Sequence, residues 1–258
     1  MLAESFFSRA SLGDFGFRWL HILSGVMWIG LLYYFNFVQV PAFAAFGDEA
    51  RARNIAIDKV ARKALWWFRW AAVSTFLTGI LITILTEGYF SADPEGIKFS
   101  ESAGGIAIST GMLLGIIMML NVWGVIWRNQ KVVLANAANV LAGGEADPNA
   151  PAAGRKALMA SRQNTIFSVS MLFFMVYKSH SKANPGAVSS SDSMTYWIIA
   201  LVVIAILELN ALGLMPWKTQ ANKGLNVLYD GKGVRNPLIA AFGLWVVFLV
   251  LSEIFLAV

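Results

Sequence analysis

RWLHILSGVMWIGLLYYF, residues Arg18–Phe35, is a long apolar run interrupted near its start by Arg18, His21 and Ser24. A helix that crosses lipid needs about 20 mainly apolar residues, because its backbone must satisfy its own hydrogen bonds there. Extended to residues 15–40, this stretch meets that requirement, and it is too long and wrongly flanked for a cleaved signal peptide. Outward from it, further apolar stretches follow at about 65–86, 104–127, 161–180, 195–215 and 237–258. The pattern predicts an all-α six-transmembrane-helix bundle, one membrane domain over residues 1–258. The fourth stretch has the shortest apolar core, and its Asn164, Thr165 and Ser168 must find partners on their own or a neighbouring helix.

Composition agrees. Of 258 residues, 57% are hydrophobic and 14% charged, with mean hydropathy +0.62. Ordinary soluble domains carry roughly 25% charge, so a soluble globule, a disordered chain and a fibrous repeat are all excluded. The chain has 0 cysteines, which removes disulfides, thiolate zinc, iron–sulfur clusters and a covalently attached haem c. Any imidazole chemistry must use His21, His180 or both.

Basic residues are unevenly spread. Arg51, Arg53, Lys59, Arg62, Lys63 and Arg69 lie between or beside the first two stretches. Arg128, Lys131, Arg155, Lys156 and Arg162 lie between the third and fourth, and Lys218, Lys223, Lys232 and Arg235 between the fifth and sixth. Only Arg9, Arg18, Lys98, Lys178 and Lys182 fall on the opposite side. Positive loops stay in the cytoplasm, so both termini are expected outside, in the periplasm if the membrane is a bacterial inner one. The net charge of +5 then reflects topology and implies no nucleic-acid partner.

The connections carry structure too. GDEARARNIAIDKVARKA places acid first and base last, matching a helix dipole, and should form a helix feeding the second span. RNQKVVLANAANVLAGG continues the third span and stops at Gly143–Gly144, before RKALMASRQN leads back into the fourth. Together these predict helical cytoplasmic extensions and a projecting hairpin. MLAESFFSRASLGD, ahead of the first span, has the composition of a short amphipathic surface segment.

Arg18, His21, Gly25 and Trp28 follow at spacings of 3, 4 and 3, which puts them on one helical face. The charge-derived topology places His180, at the outer end of the fourth span, near the same membrane surface as His21. Two imidazoles so placed could ligate a b-type haem from opposite faces. In that arrangement Gly25 leaves room for the macrocycle, Trp28 helps wall it, and Arg18 and Lys178 pair with its propionates. A histidine near a helix end can equally bond a neighbour and serve packing alone. Deeper polar residues are Asn36, Arg69, Asn121, Glu208 and Asn210; Glu208 is expected to tie to Arg69 or Asn121. Pro41, Pro216 and Pro237 sit at span ends, leaving the spans unbroken, and Gly111-x-x-x-Gly115 suits close helix packing.

The segment Arg18–Phe35, with its W-L-H-x-x-x-G-x-x-W-I-G core, resembles the first span of the membrane domain of cytochrome c-linked urate oxidases, the urate hydroxylase family. WWFRWAAVSTFLTG (66–79) resembles that family's next aromatic-basic span, and RQNTIFSVSMLFFMVYKSH (162–180) its histidine-terminated segment, with Ser170 where proline is expected. A weaker likeness in the first span extends to membrane protoporphyrinogen oxidases and copper-resistance D-type proteins. The resemblance implies a haem or other redox role for His21 and His180. The family's c-type cytochrome is not expected, since the chain lacks cysteine and stops at Val258. Two functions follow: a haem b subunit passing electrons at the periplasmic face to a cytochrome or larger oxidoreductase complex, or a cofactor-free anchor among other subunits of a membrane complex.

Overall fold

The computed structural model describes residues 15–85, 89–90, 98–180, 187–231 and 233–256, and the side chains of all of these except 178–180. Six long helices account for most of it: α1 Phe17–Ala45, α2 Ala50–Leu85, α3 Ala103–Leu141, α4 Ala150–His180, α5 Ser190–Ala211 and α6 Arg235–Phe255. No strand occurs among the described residues, apart from an isolated antiparallel bridge between Ser102 and Ala187. All helices except α4 are long and apolar enough to cross a membrane, as in a multi-pass membrane protein. The amino-terminal segment 1–14, read as amphipathic, lies outside the described residues.

The exception is the centre of the fold. α4 packs against α1, α3, α5 and α6, while α2 sits outside, against α1 and α3. Residues 162–168 of α4 are all buried, so this stretch is enclosed on every side by protein. Its polar groups are met accordingly. The Tyr33 hydroxyl of α1 lies 2.9 Å from Ser168 Oγ, and Asn36 Nδ2 donates to Ser161 Oγ at 2.8 Å. Asn164 Nδ2 donates to the Met118 carbonyl of α3 at 2.9 Å. The outer helices instead present apolar side chains outward, among them Ile22, Val26, Ile84, Ile198, Ile239 and Ile254.

Two ends can be distinguished. The upper end bears the described residues 89–90, 98–102 and 187–189; the lower end bears the connections at 46–49, 142–149 and 212–231. The expected lower extensions are present. α2 is helical from Ala50, and α3 continues to Leu141, where Gly143 at φ +89° turns the chain toward α4. Asn139 Nδ2 caps the turn by donating to the Glu145 carbonyl at 2.7 Å, and Asn136 Oδ1 accepts from the Asp147 N–H at 2.7 Å. At the start of α3, Ser102 Oγ accepts from Gly105 N at 3.1 Å, a side-chain cap of the kind that satisfies an orphan helix N–H.

The helices run on without a break, but not with uniform winding. Wider π-helical segments occur at Tyr34–Gln39, Ile57–Ala61 and Val122–Ile126. The first directly precedes Pro41, whose missing N–H and bulky ring disrupt a regular ladder. The helix therefore does not stop near residue 40 but runs through Pro41 to Ala45.

Candidate functional site

His21 sits in the upper half of α1 and turns toward α2. Its Nδ1 lies 3.1 Å from Thr78 Oγ1. That hydroxyl is within 2.7 Å of the Ser74 carbonyl and 3.0 Å of the Thr75 carbonyl of its own helix, and it donates its proton there. With the hydroxyl so engaged, it can accept from the imidazole when the ring carries its proton on Nδ1. In that tautomer Nε2 is the unprotonated nitrogen. This is the tautomer that histidine ligands adopt, one nitrogen held by a neighbour and the other presenting its lone pair.

The ring fits because α2 has no side chain beside it. A Cβ added at Gly79 would stand 3.2 Å from His21 Cε1, tighter than an ordinary contact. Gly25, one turn below, lies against α2 as well, its would-be Cβ 3.9 Å from Thr75 Cγ2. The gap at Gly25 thus opens toward α2 and serves the approach of the two helices. Trp28 is buried on the same side of α1, and its Nε1 has no hydrogen-bond partner. Arg18 is half-buried one turn above His21.

α1 and α4 run antiparallel, as the Tyr33–Ser168 and Asn36–Ser161 contacts show. His21 precedes Tyr33 by as many residues as His180 follows Ser168, so at ~1.5 Å rise per residue both backbones climb about 18 Å to the same end. The side chains of Lys178 and His180 lie outside the described residues. No group of three or more His, Asp or Glu that could hold a metal ion occurs among the described residues.

Sequence spacing put His21 and Gly25 on one face, and both lie against α2. It did not show that this face meets α2, and so missed Thr78 and Gly79, the residues that orient the imidazole. The T-x-x-x-G string at Thr75–Gly79 was the available signal.

A second polar cluster lies lower. Asn121 Nδ2 donates to Asn164 Oδ1 and to Glu208 Oε2, each at 3.1 Å, linking α3, α4 and α5. Of the two expected partners for Glu208, Asn121 is the one found. Arg69 instead lies over the Trp127 ring, its Cζ 3.3 Å from the centroid.

The lower end is closed by the 212–234 connection. Arg155 grips Asp230 through two bonds of 2.6 and 2.9 Å and donates from Nε to the Thr219 carbonyl at 2.9 Å. Arg162 donates to the Tyr229 and Gly233 carbonyls, and the Tyr229 hydroxyl donates to Gln163 Oε1. Burial alone would raise the Asp230 pKa, but hydrogen bonds from Arg155 and the Asn222 N–H, with Arg162 nearby, outweigh it and hold the carboxyl below its ordinary value. Burial pushes the Tyr229 phenol up.

Comparison with known proteins returns no matching family model, curated protein or solved structure.

Proposed function

We propose that the chain is a haem b-binding membrane subunit that passes electrons at its upper face within a respiratory or oxidase complex. The observation that carries this reading is the His21 imidazole, its Nδ1 3.1 Å from Thr78 Oγ1, at the bundle end to which the backbone also carries His180. The orphaned, buried Trp28 N–H on the same side of α1 fits a site with room for an added acceptor. In this reading His21 and His180 would hold the haem, and Arg18 and Lys178 would meet its propionates. The bound haem would supply one-electron chemistry. Thr78 is a positioning residue: it fixes which imidazole nitrogen faces the iron.

A reduced-minus-oxidised spectrum of protein purified with its native partners tests the idea. A b-type signal is expected in the wild type and none in His21→Ala. Thr78→Val should keep the signal but weaken haem retention roughly 10–100-fold, the usual effect of losing an outer-shell partner, and should shift the midpoint potential. No b-type signal in the wild type overturns the proposal. The anchor reading is favoured by the close seat of His21 beside Gly79, which packs α1 on α2. It predicts a His21→Ala variant with unchanged spectrum and complex activity.

One haem near one face cannot carry an electron across the ~30 Å hydrocarbon core, so this function needs partners: other membrane subunits and a periplasmic cytochrome. The accompanying topology has six crossings, with α4 the fourth, the basic lower end cytoplasmic and both termini periplasmic in a bacterial inner membrane. The 0 native cysteines make single-cysteine labelling clean. A thiol at Ser191 should react with an impermeant maleimide on intact spheroplasts and one at Ala146 only after lysis; the reverse pattern inverts the assignment.

A further inference from the structure

Arg69, on α2, is 8% exposed, and its Nε has no hydrogen-bond partner. Among the described residues no carboxylate pairs with it and no carbonyl accepts from its guanidinium. What it has is aromatic: the Trp127 ring at 3.3 Å from Cζ and the Trp123 ring at 5.6 Å. Trp123 Nε1 in turn donates to the Arg69 carbonyl at 3.4 Å, and Trp70 meets Trp123 edge-on at 5.6 Å. A second cation lies by the same indole, with Lys131 Nζ 6.0 Å from the Trp127 centroid. Lys131 also forms no ion pair among the described residues, and Asp58 of α2 is occupied by Lys59 and Arg62.

Withdrawing a guanidinium from water is costly, and stacking on one or two indoles recovers only part of that cost. Arginine has five N–H donors and no way to shed its charge. Two cations beside one ring, paired with no acid among the described residues, are complementary to an anion from outside the chain. Its walls indicate which anion. Trp66, Trp67 and Trp70 are each about half exposed beside Arg69, and Leu120 and Ile116 of α3 are exposed above the cleft. An anion with an apolar tail satisfies both the cations and these surfaces.

We propose that the Arg69–Trp127–Lys131 cleft between α2 and α3 binds the phosphodiester headgroup of an anionic phospholipid, the guanidinium taking the phosphate oxygens and the tryptophans flanking the glycerol and upper acyl chain. The site is distinct from the His21 region and does not depend on whether a haem is bound.

Native mass spectrometry of delipidated protein, titrated with an equimolar mixture of phosphatidylglycerol and phosphatidylcholine, tests this. The wild type should take up phosphatidylglycerol roughly tenfold or more in preference, given the strength of charge-assisted hydrogen bonds. Arg69→Gln should remove the preference, Lys131→Gln should reduce it roughly fivefold, and Arg51→Gln, an exposed change away from the cleft, should leave it intact. Lys131 is exposed, so its variant reports on the site even if Arg69→Gln fails to fold. Equal uptake of the two lipids by the wild type, or wild-type preference in Lys131→Gln, overturns the proposal. Inorganic phosphate at ~100 mM should not displace the lipid; displacement would identify a free-anion site and overturn the lipid assignment.

Discussion

Asp230→Ala should be the most destabilising single change at the lower end, costing roughly 3–5 kcal/mol, as when one partner of a buried ion pair is removed. The carboxylate takes two bonds from Arg155, one from the Asn222 N–H, and stands 3.6 Å from Arg162 Nη1. Without it, Arg155 can swing toward water, being 21% exposed, but Arg162 at 7% cannot. A buried charge then remains with only carbonyls to face. Thermal unfolding in detergent should show a clear fall in Tm, and hydrogen exchange should rise across 212–234. Adding Arg162→Met should recover part of the loss, because the uncompensated charge goes with it. An unchanged Tm in Asp230→Ala would remove the plug from any account of stability.

The same group sets an acid limit. Its folded-state pKa is depressed, so the folded state binds the proton less readily than the unfolded chain. That stabilisation is fully present above the ordinary carboxylate value of about 3.9 and is lost as pH falls through the lower folded value. Stability from this pair should thus be flat between about pH 5 and 8. The gap between the wild type and Asp230→Ala should close only below about pH 4.

Gly111→Val should open the α3–α4 interface and cost about 1–3 kcal/mol through overpacking. A Cβ at Gly111 would stand 3.0 Å from Phe174 Cβ and 3.4 Å from the Met171 carbonyl oxygen. Neither atom can rotate away, since one is attached directly to the backbone and the other belongs to it, so the helices must separate. Gly115 differs, with its nearest neighbour Met171 Cγ at 4.0 Å. Gly115→Ala should leave stability unchanged or slightly raised, as an alanine favours the helix over glycine by roughly 0.5–1 kcal/mol. Equal Tm values for the two variants would show that the motif does not distinguish its two ends.

That contrast marks how far the sequence could be followed. The G-x-x-x-G string is visible in the primary structure, but the two glycines differ only through what α4 places opposite them. Hydropathy located the outer helices because it measures the lipid-facing surface, and Ile22, Val26 and Ile254 face outward. It was weakest at α4, where the environment is protein and Arg162, Gln163 and Asn164 are all buried. At the candidate site, helical spacing gathered the face of His21, while the partner of its ring, Thr78, lies 57 residues away. No periodicity reports which neighbour a face will meet. The pairing of Glu208 with Asn121 rather than Arg69 was undecided for the same reason, since both were polar residues at comparable depth.

The enclosure of α4 also bears on how the molecule is made. Its side chains at 162–168 have suitable surroundings only when α1, α3 and the 212–234 connection are already in place. A ribosome delivers α1 to α3 first, but the residues that engage Arg162 and Gln163 emerge some 65 residues later. Until then the central helix has no stable lodging in lipid on its own. Biogenesis of this chain is therefore a problem of waiting: its middle must be sheltered by the insertion machinery until its end has been synthesised.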